Sequence, residues 1–374
     1  IAGANGVGKS NLFDAILFLS ALSEKTFMDA AKSVRDDEGK TTDIKSLFHR
    51  VGGFSENKIS LEAEMIVPEK GVDDLGVEAE ASITFLKYVL ELEYRDGNGL
   101  GSQGRIELVK EELTHINIGD APKHILFSYS TAWLKSAVNG RRQKPFISTE
   151  AKESEKKESN ILIRLHQDRG ESGGRTRPFP AKNLPRTVLS TANATENRTA
   201  LVAKREMQSW RLLLLEPSAL RRPDKFDAPD RLGPDGSHLP ATLYRLAKAK
   251  APGAESQDKI EKQVYCTLAN RLSELIDEVY EIRVERDENM ERLSLAVTDR
   301  SGTVYSARDL SDGTLRFLAA AVIELDPEAQ GLLCLEEPEN GIHPSRIPLM
   351  LTLLRDIASD VDEPVTPDNP LRQV

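Results

Sequence analysis

Gly3-Ala4-Asn5-Gly6-Val7-Gly8-Lys9-Ser10 follows the pattern G-x-x-x-x-G-K-[ST], and Asn11 leads from it into an apolar run. Such a loop wraps a polyphosphate with backbone N–H groups, which requires glycine where a Cβ would collide with the ligand. The helix that follows directs the positive end of its dipole at the same anion. In this reading Lys9 reaches the β- and γ-phosphates and the Ser10 hydroxyl ligates Mg²⁺. The run from Ser10 to Leu22 is apolar nearly all round, as suits a helix buried beside a sheet. A glycine-rich turn alone would not continue in that way.

Working outward, apolar and polar residues alternate over Ile59–Val67, Ala81–Tyr94 and Ile106–Ile116, and the last two flank the glycine-rich Asp96–Gly104. The spacing predicts half-buried strands and a long antiparallel hairpin. Periodicity fades from Gly140 to Pro185, where surface chain with short strands is expected. Helical pattern returns over Ala200–Leu215, Leu239–Lys250 and Ser256–Glu281, broken by Pro217, Pro223, Pro229 and Pro234. Strands at Arg292–Val297 and Thr303–Ala307, a helix from Thr314 to Leu325 and a buried strand Gly331–Leu335 close the series.

The 374 residues suffice for about two domains, and 39% hydrophobic with 29% charged residues excludes a disordered chain. Cys266 and Cys334 stand far apart with no CxxC or Cys/His cluster, so neither a zinc site nor a disulfide framework is indicated, and a reducing, cytoplasmic setting is expected. Phe317–Leu325, among the longest apolar stretches, is about half of the ~18 residues a membrane span needs, so no membrane partner is expected. The chain opens on Ile1, with the phosphate loop three residues later, and reaches Leu371–Val374 as a strand beginning. An earlier start and a continuation beyond Val374 are therefore expected.

A second chemical element lies far along the chain. Leu332-Leu333-Cys334-Leu335-Glu336-Glu337-Pro338 is an apolar strand that ends in two acids, which calls for a cation at the sheet's carboxyl edge. Glu336 is the expected Mg²⁺ holder, and Glu337 the residue that orients and polarises an attacking water. Leu310-Ser311-Asp312-Gly313-Thr314 starts a helix whose free N–H groups and hydroxyl make a second anion site. Alone it also describes an ordinary helix cap; beside the other two elements it carries more.

Together, Asn5-Gly6-Val7-Gly8-Lys9-Ser10-Asn11, the Leu-Ser-Asp-Gly-Thr signature and Glu336-Glu337-Pro338-Glu339-Asn340-Gly341-Ile342-His343-Pro344 resemble the ABC-type ATPase heads of the SMC-like, AAA-annotated prokaryotic family. That family includes DNA-repair and anti-phage defence ATPases, relatives of the overcoming-lysogenisation-defect proteins. Arg221-Arg222-Pro223 and Leu232–Leu239 also resemble its intervening region.

The resemblance implies an α/β fold: a P-loop head with a mixed central sheet, an antiparallel β subdomain and a helical insertion. It implies ATP and Mg²⁺ at a head-to-head homodimer or higher oligomer. Asn5, Gly6, Val7, Gly8, Lys9, Ser10 and Asn11 would bind nucleotide, while Ser311 and Gly313 would meet the γ-phosphate held by a neighbour's Lys9. Gly341–Pro344 would cross the seam. The expected division is 1–135 for the phosphate loop and β-rich lobe, 136–199 for a basic segment, 200–285 for a lid-like helical insertion and 286–374 for signature and acids. An effector protein, nuclease or toxin, in defence or DNA maintenance is the implied partner.

This chain also departs from the pattern. Glu336 stands where many such ATPases have Asp, and Asp312 and Thr314 replace the Gly and Gln of transporter cassettes. No residue up to Val374 can be assigned as the switch histidine, and His343 reads as a seam residue. A transporter cassette and a non-hydrolysing ATP-held scaffold are the alternative readings. Phosphate release with and without DNA separates them.

Between Arg141 and Arg186, twelve Lys and Arg stand against six acids, a surplus of positive charge inside a chain of net charge -10. Such a tract suits a phosphate backbone, which makes DNA a candidate partner, or an acidic protein; a solvated loop has the same composition. Trp133 and Trp210 read as core or interface aromatics.

Overall fold

The computed structural model describes residues 8–34, 44–52, 54–97, 104–152, 160–168, 176–249 and 257–374. The chain divides into two compact units, one of residues 1–210 with 361–371, the other of residues 211–360 with 372–374.

The first unit begins with helix α1 (Lys9–Leu22), which buries Phe18, Leu19 and Leu22. Its sheet is an antiparallel meander of β1 (Lys58–Ile66), β2 (Phe85–Arg95), β3 (Arg105–His115), β4 (Ile147–Lys152), β5 (Asn160–His166) and β6 (Thr176–Pro180), each beside its neighbour in sequence. The β2–β3 hairpin pairs from Leu86↔His115 to Arg95↔Arg105, as the alternation predicted. Leu86, Tyr88, Leu90 and Leu92 point to one face with Leu113, Ile147 and Ile163, all nearly or fully buried. Period-two spacing places them together there. Glu111, on the same strand as Leu113, is fully buried. Its Oε2 accepts from Val188 N at 2.7 Å and its Oε1 from Leu189 N at 2.8 Å. Helices α2 (Thr131–Ala137) and α3 (Arg198–Ser209) complete this part. Trp133 and Trp210 are both buried, as expected of core aromatics.

The second unit carries three short parallel strands, β7 (Arg211–Leu213), β11 (Gly331–Leu335) and β12 (Arg372–Gln373), with β11 in the middle. An antiparallel sheet joins β8 (Val279–Asp287), β9 (Arg292–Asp299) and β10 (Val304–Ser306). Among its helices are α4 (Leu239–Lys248), α5 (Gln257–Leu275), α6 (Asp312–Leu325) and α7 (Ile347–Ile357). From Gly313 to Ile323, α6 is buried at every residue except Arg316, so it runs through the core that Leu213, Leu333, Met350 and Leu353 share. A helix apolar all round belongs in such a place.

Two expected helices end early. The pattern over Ala200–Leu215 stops at Ser209, and Arg211–Leu213 becomes β7, paired with Leu333–Leu335. Likewise α5 ends at Leu275, and Val279 starts β8. In both places a short apolar run fits either period, and a neighbouring strand decides. Within each unit, the described sheets are purely parallel or purely antiparallel.

Candidate functional site

In the first unit, Gly8 precedes α1 with φ 92° and ψ 20°, the left-handed region that glycine enters without steric cost. Asn11 N donates to Gly8 O at 3.1 Å, so the chain turns into the helix within a single residue. Among the described residues no side-chain hydrogen bond caps this end, and its first turn contains no acid. The positive end of the helix dipole here favours an anion. Gly8, Ser10 and Asn11 are exposed and Lys9 is half-buried. Asn5, Gly6 and Val7 lie outside the described residues.

The acidic pair is in the second unit. β11 is flanked on both sides by parallel strands, and Glu336 N donates to Leu213 O at 3.1 Å, which extends the β7 pairing to the first acid. The chain then turns sharply: Glu337 has φ 46°, a left-handed backbone unusual for a residue with a side chain. Asn340 N closes the turn on Glu337 O at 3.1 Å. Glu336 is half-buried while Glu337 is exposed. The two carboxylates thus leave the carboxyl end of a parallel sheet, the edge where such sheets take ligands. Such a backbone at a residue with a side chain costs on the order of 1–3 kcal/mol and persists only where the surrounding structure holds it.

Ser311 caps α6. Its Oγ accepts from Thr314 N at 3.2 Å and lies 2.7 Å from Thr314 Oγ1. Gly313, the second residue of the helix, meets the loop that follows Glu337: a Cβ on Gly313 would stand 2.3 Å from Gly341 O. Only glycine lets the helix and that loop touch. Arg316, on the same helix, donates from Nε to Leu215 O at 2.9 Å and from Nη1 to Asn340 O at 2.7 Å. Arg221 Nη2 holds the other flank, reaching Leu310 O at 2.9 Å and Asp312 Oδ1 at 2.6 Å. Arg316 thus ties the signature helix to the acidic loop, while Arg221 holds the signature stretch itself.

Beside this junction opens a cavity of about 680 Å³, bounded by Ser311, Gly313, Gly341 and His343 on one side and by Ile276, Val279 and Val297 on the other. Asp299, on its wall, is held below the usual carboxylate range by the Ser301 hydroxyl and the Thr303 N–H. His343 caps the short turn after it, with Nδ1 accepting from Ser345 N at 3.3 Å.

The site residues expected from the sequence thus fall into two groups. Gly8, Lys9, Ser10 and Asn11 stand together at the start of α1, in the first unit. Ser311 and Gly313 stand against the loop carried by Glu336 and Glu337, in the second. The braces Arg221 and Arg316 were not anticipated. The Arg-Arg-Pro motif marked Arg221 without a role, and Arg316 was detectable only as the one charge between Gly313 and Ile323 on an otherwise apolar helix.

A family described as "AAA domain, putative AbiEii toxin, Type IV TA system" matches residues 119–371, more than half of the chain. The match includes Ser311, Gly313, Glu336 and Glu337, while Lys9 and Ser10 precede it. No curated protein matches the chain. Among the described residues no helix is long and apolar enough to cross a membrane. The chain belongs to this AAA-domain family.

Proposed function

We propose that this AAA-domain chain binds and hydrolyses ATP between the heads of a dimer and uses the cycle to control an effector. The observation that carries the reading is the seating of Gly313 on Gly341 O, since it joins the signature to the loop bearing Glu337. Motion at one is then felt by the other. In a dimer, Ser311 and the first amides of α6 face a γ-phosphate held by the neighbouring chain's phosphate loop. Lys9 neutralises the phosphate oxygens, and Asn11 with the α1 amides cradles them. Asn5, Gly6 and Val7 complete the loop. Glu337 takes the role of water-orienting base, its carboxylate presented by the left-handed turn.

The donors suit Mg²⁺, because Ser10 is an exposed hydroxyl and Glu336 a half-buried carboxylate, both of the hard-oxygen type. When bound, the ion would offset charge on the β- and γ-oxygens. Ser10 and Glu336 would hold it.

The family description supports a toxin–antitoxin setting, in which the effector is a toxin or nuclease and the heads act as its switch. The head dimer, the effector and the defence role are parts of this proposal.

Phosphate release by the purified chain tests it. Lys9→Ala is expected to lose productive nucleotide binding, whereas Glu337→Gln should still bind ATP and gather as a closed dimer, with turnover reduced by about 10²–10⁴-fold. Glu337→Gln hydrolysing ATP at the parental rate would remove Glu337 from the mechanism. Stimulation by DNA would place the chain with DNA maintenance or defence.

A further inference from the structure

The basic tract has no part in ATP chemistry, yet its first residues build a cavity of their own. Asn117, Ile118 and Gly119, just after β3, and Arg141, Arg142 and Gln143, ahead of β4, enclose about 540 Å³ within the first unit. Both ionisable groups on this wall are arginines.

Arg142 is 4% exposed, a rare burial for a permanent cation. Nη1 donates to Asp168 Oδ1 at 2.7 Å, Nε donates to Lys144 O at 2.9 Å, and the guanidinium lies 3.9 Å above the Phe146 ring. Asp168 cannot follow a moving arginine, because Ser82 Oγ at 3.0 Å and Thr199 N at 2.8 Å also donate to it. Arg142 is therefore fixed on three sides. Its Nη2 has no partner among the described residues. A buried N–H donor left in that condition is unfavourable, and an acceptor entering the cavity would satisfy it.

The surroundings favour an anion as that acceptor. Arg141 is exposed at the same wall, and Arg142 N donates to Asn117 Oδ1 at 3.4 Å, which orients the Asn117 amide. Burial together with the charge of Arg142 holds His115 and His166 below the usual histidine value. Arg141 adds a further positive charge beside the Arg142–Asp168 pair, although the chain as a whole is acidic. One guanidinium fixed in place with a spare N–H, and a second arginine on the same wall, suit the oxygens of a phosphate.

We propose that the cavity between Asn117–Gly119 and Arg141–Gln143 is a phosphate-binding site, separate from the nucleotide site, with Arg142 as its fixed donor and Arg141 as its entrance charge. The phosphate is that of a nucleic-acid backbone or of a free phosphate, and the experiment distinguishes these sources.

The full chain carrying Lys9→Ala removes the nucleotide site from the measurement. Calorimetry with inorganic phosphate and anisotropy with a labelled DNA duplex are then run on this chain, with and without Arg141→Glu or Asn117→Asp. Both changes lie at the cavity's accessible wall, and circular dichroism checks that the fold is kept. At least a tenfold weakening of phosphate binding in both variants is expected. If nucleic acid is the source, duplex binding weakens by the same factor and its salt dependence becomes shallower by about one ion. If free phosphate is the source, phosphate binds and the duplex does not displace it. Absence of binding by either probe, or binding unchanged in both variants, would overturn the proposal.

Discussion

Gly313 rests on the carbonyl oxygen of Gly341 so closely that a single added carbon would lie 2.3 Å away. A helix start and a loop nearly thirty residues downstream meet here backbone against backbone, where an added Cβ would face a carbonyl that cannot swing aside. Gly313→Ala is expected to force the two apart, at a cost of about 1–3 kcal/mol. ATP turnover should fall much further than stability does. Urea unfolding and phosphate release on the same preparation measure both; turnover unchanged within twofold would show that this junction is not needed.

Arg316 makes the same connection through a side chain, bridging Leu215 O and Asn340 O. Arg316→Ala should lower kcat while leaving KM for ATP within about twofold if, as its bonds to Leu215 O and Asn340 O suggest, Arg316 acts by positioning the acidic loop. Arg316→Lys can restore one bond but not the fork, so recovery should be partial. A rise in KM with kcat intact would instead place Arg316 at the ligand.

Two carboxyls of the first unit, Glu111 fully buried and Glu206 half-buried, contribute a pH response. Burial pushes Glu111 and Glu206 from 4.5 up to about 7 each. The folded chain thus holds these protons more tightly than the unfolded chain does. Their stabilising contribution is complete below about pH 4.5 and is lost as pH rises through about 7. Glu206 Oε1 accepts from Trp210 Nε1 at 3.1 Å, a bond that a Gln carbonyl can keep. Glu206→Gln should therefore match the parent near pH 4 and exceed its stability at pH 8 by about 1–3 kcal/mol. At Glu111 the exchange has the opposite result, since both oxygens accept from backbone N–H groups and an amide NH₂ cannot. Melting temperatures from pH 4 to 9 separate the two cases, and parallel curves for parent and Glu206→Gln would contradict the assignment.

Arg372 closes the ends of two helices in the second unit. It donates to Ile323 O and Asp326 O at the end of α6, and to Ile357 O, the last residue of α7. Helix carbonyls without a following turn need such donors. Arg372→Ala should destabilise by about 3 kcal/mol and Arg372→Lys by less. Chemical denaturation gives the values, and a loss below about 0.5 kcal/mol for Arg372→Ala would show that water serves these carbonyls equally well.

Amino-acid order by itself determined whatever depends on a few neighbouring residues. Gly8 before an apolar helix, the alternation that makes the β2–β3 hairpin, the strand ending in Glu336-Glu337 and the Ser311 cap were all legible, because local sterics and hydrogen bonding decide them. Tertiary structure decided the rest. Arg211–Leu213 became a strand because Leu333–Leu335 offered it a parallel edge, although its apolar run equally suited a helix. The left-handed turn at Glu337, the contact of Gly313 with Gly341 and the braces of Arg221 and Arg316 each need a partner dozens of residues away or a loop that only packing can hold. Pairings of that kind depend on how the whole chain closes on itself, and no window of neighbouring residues contains that information.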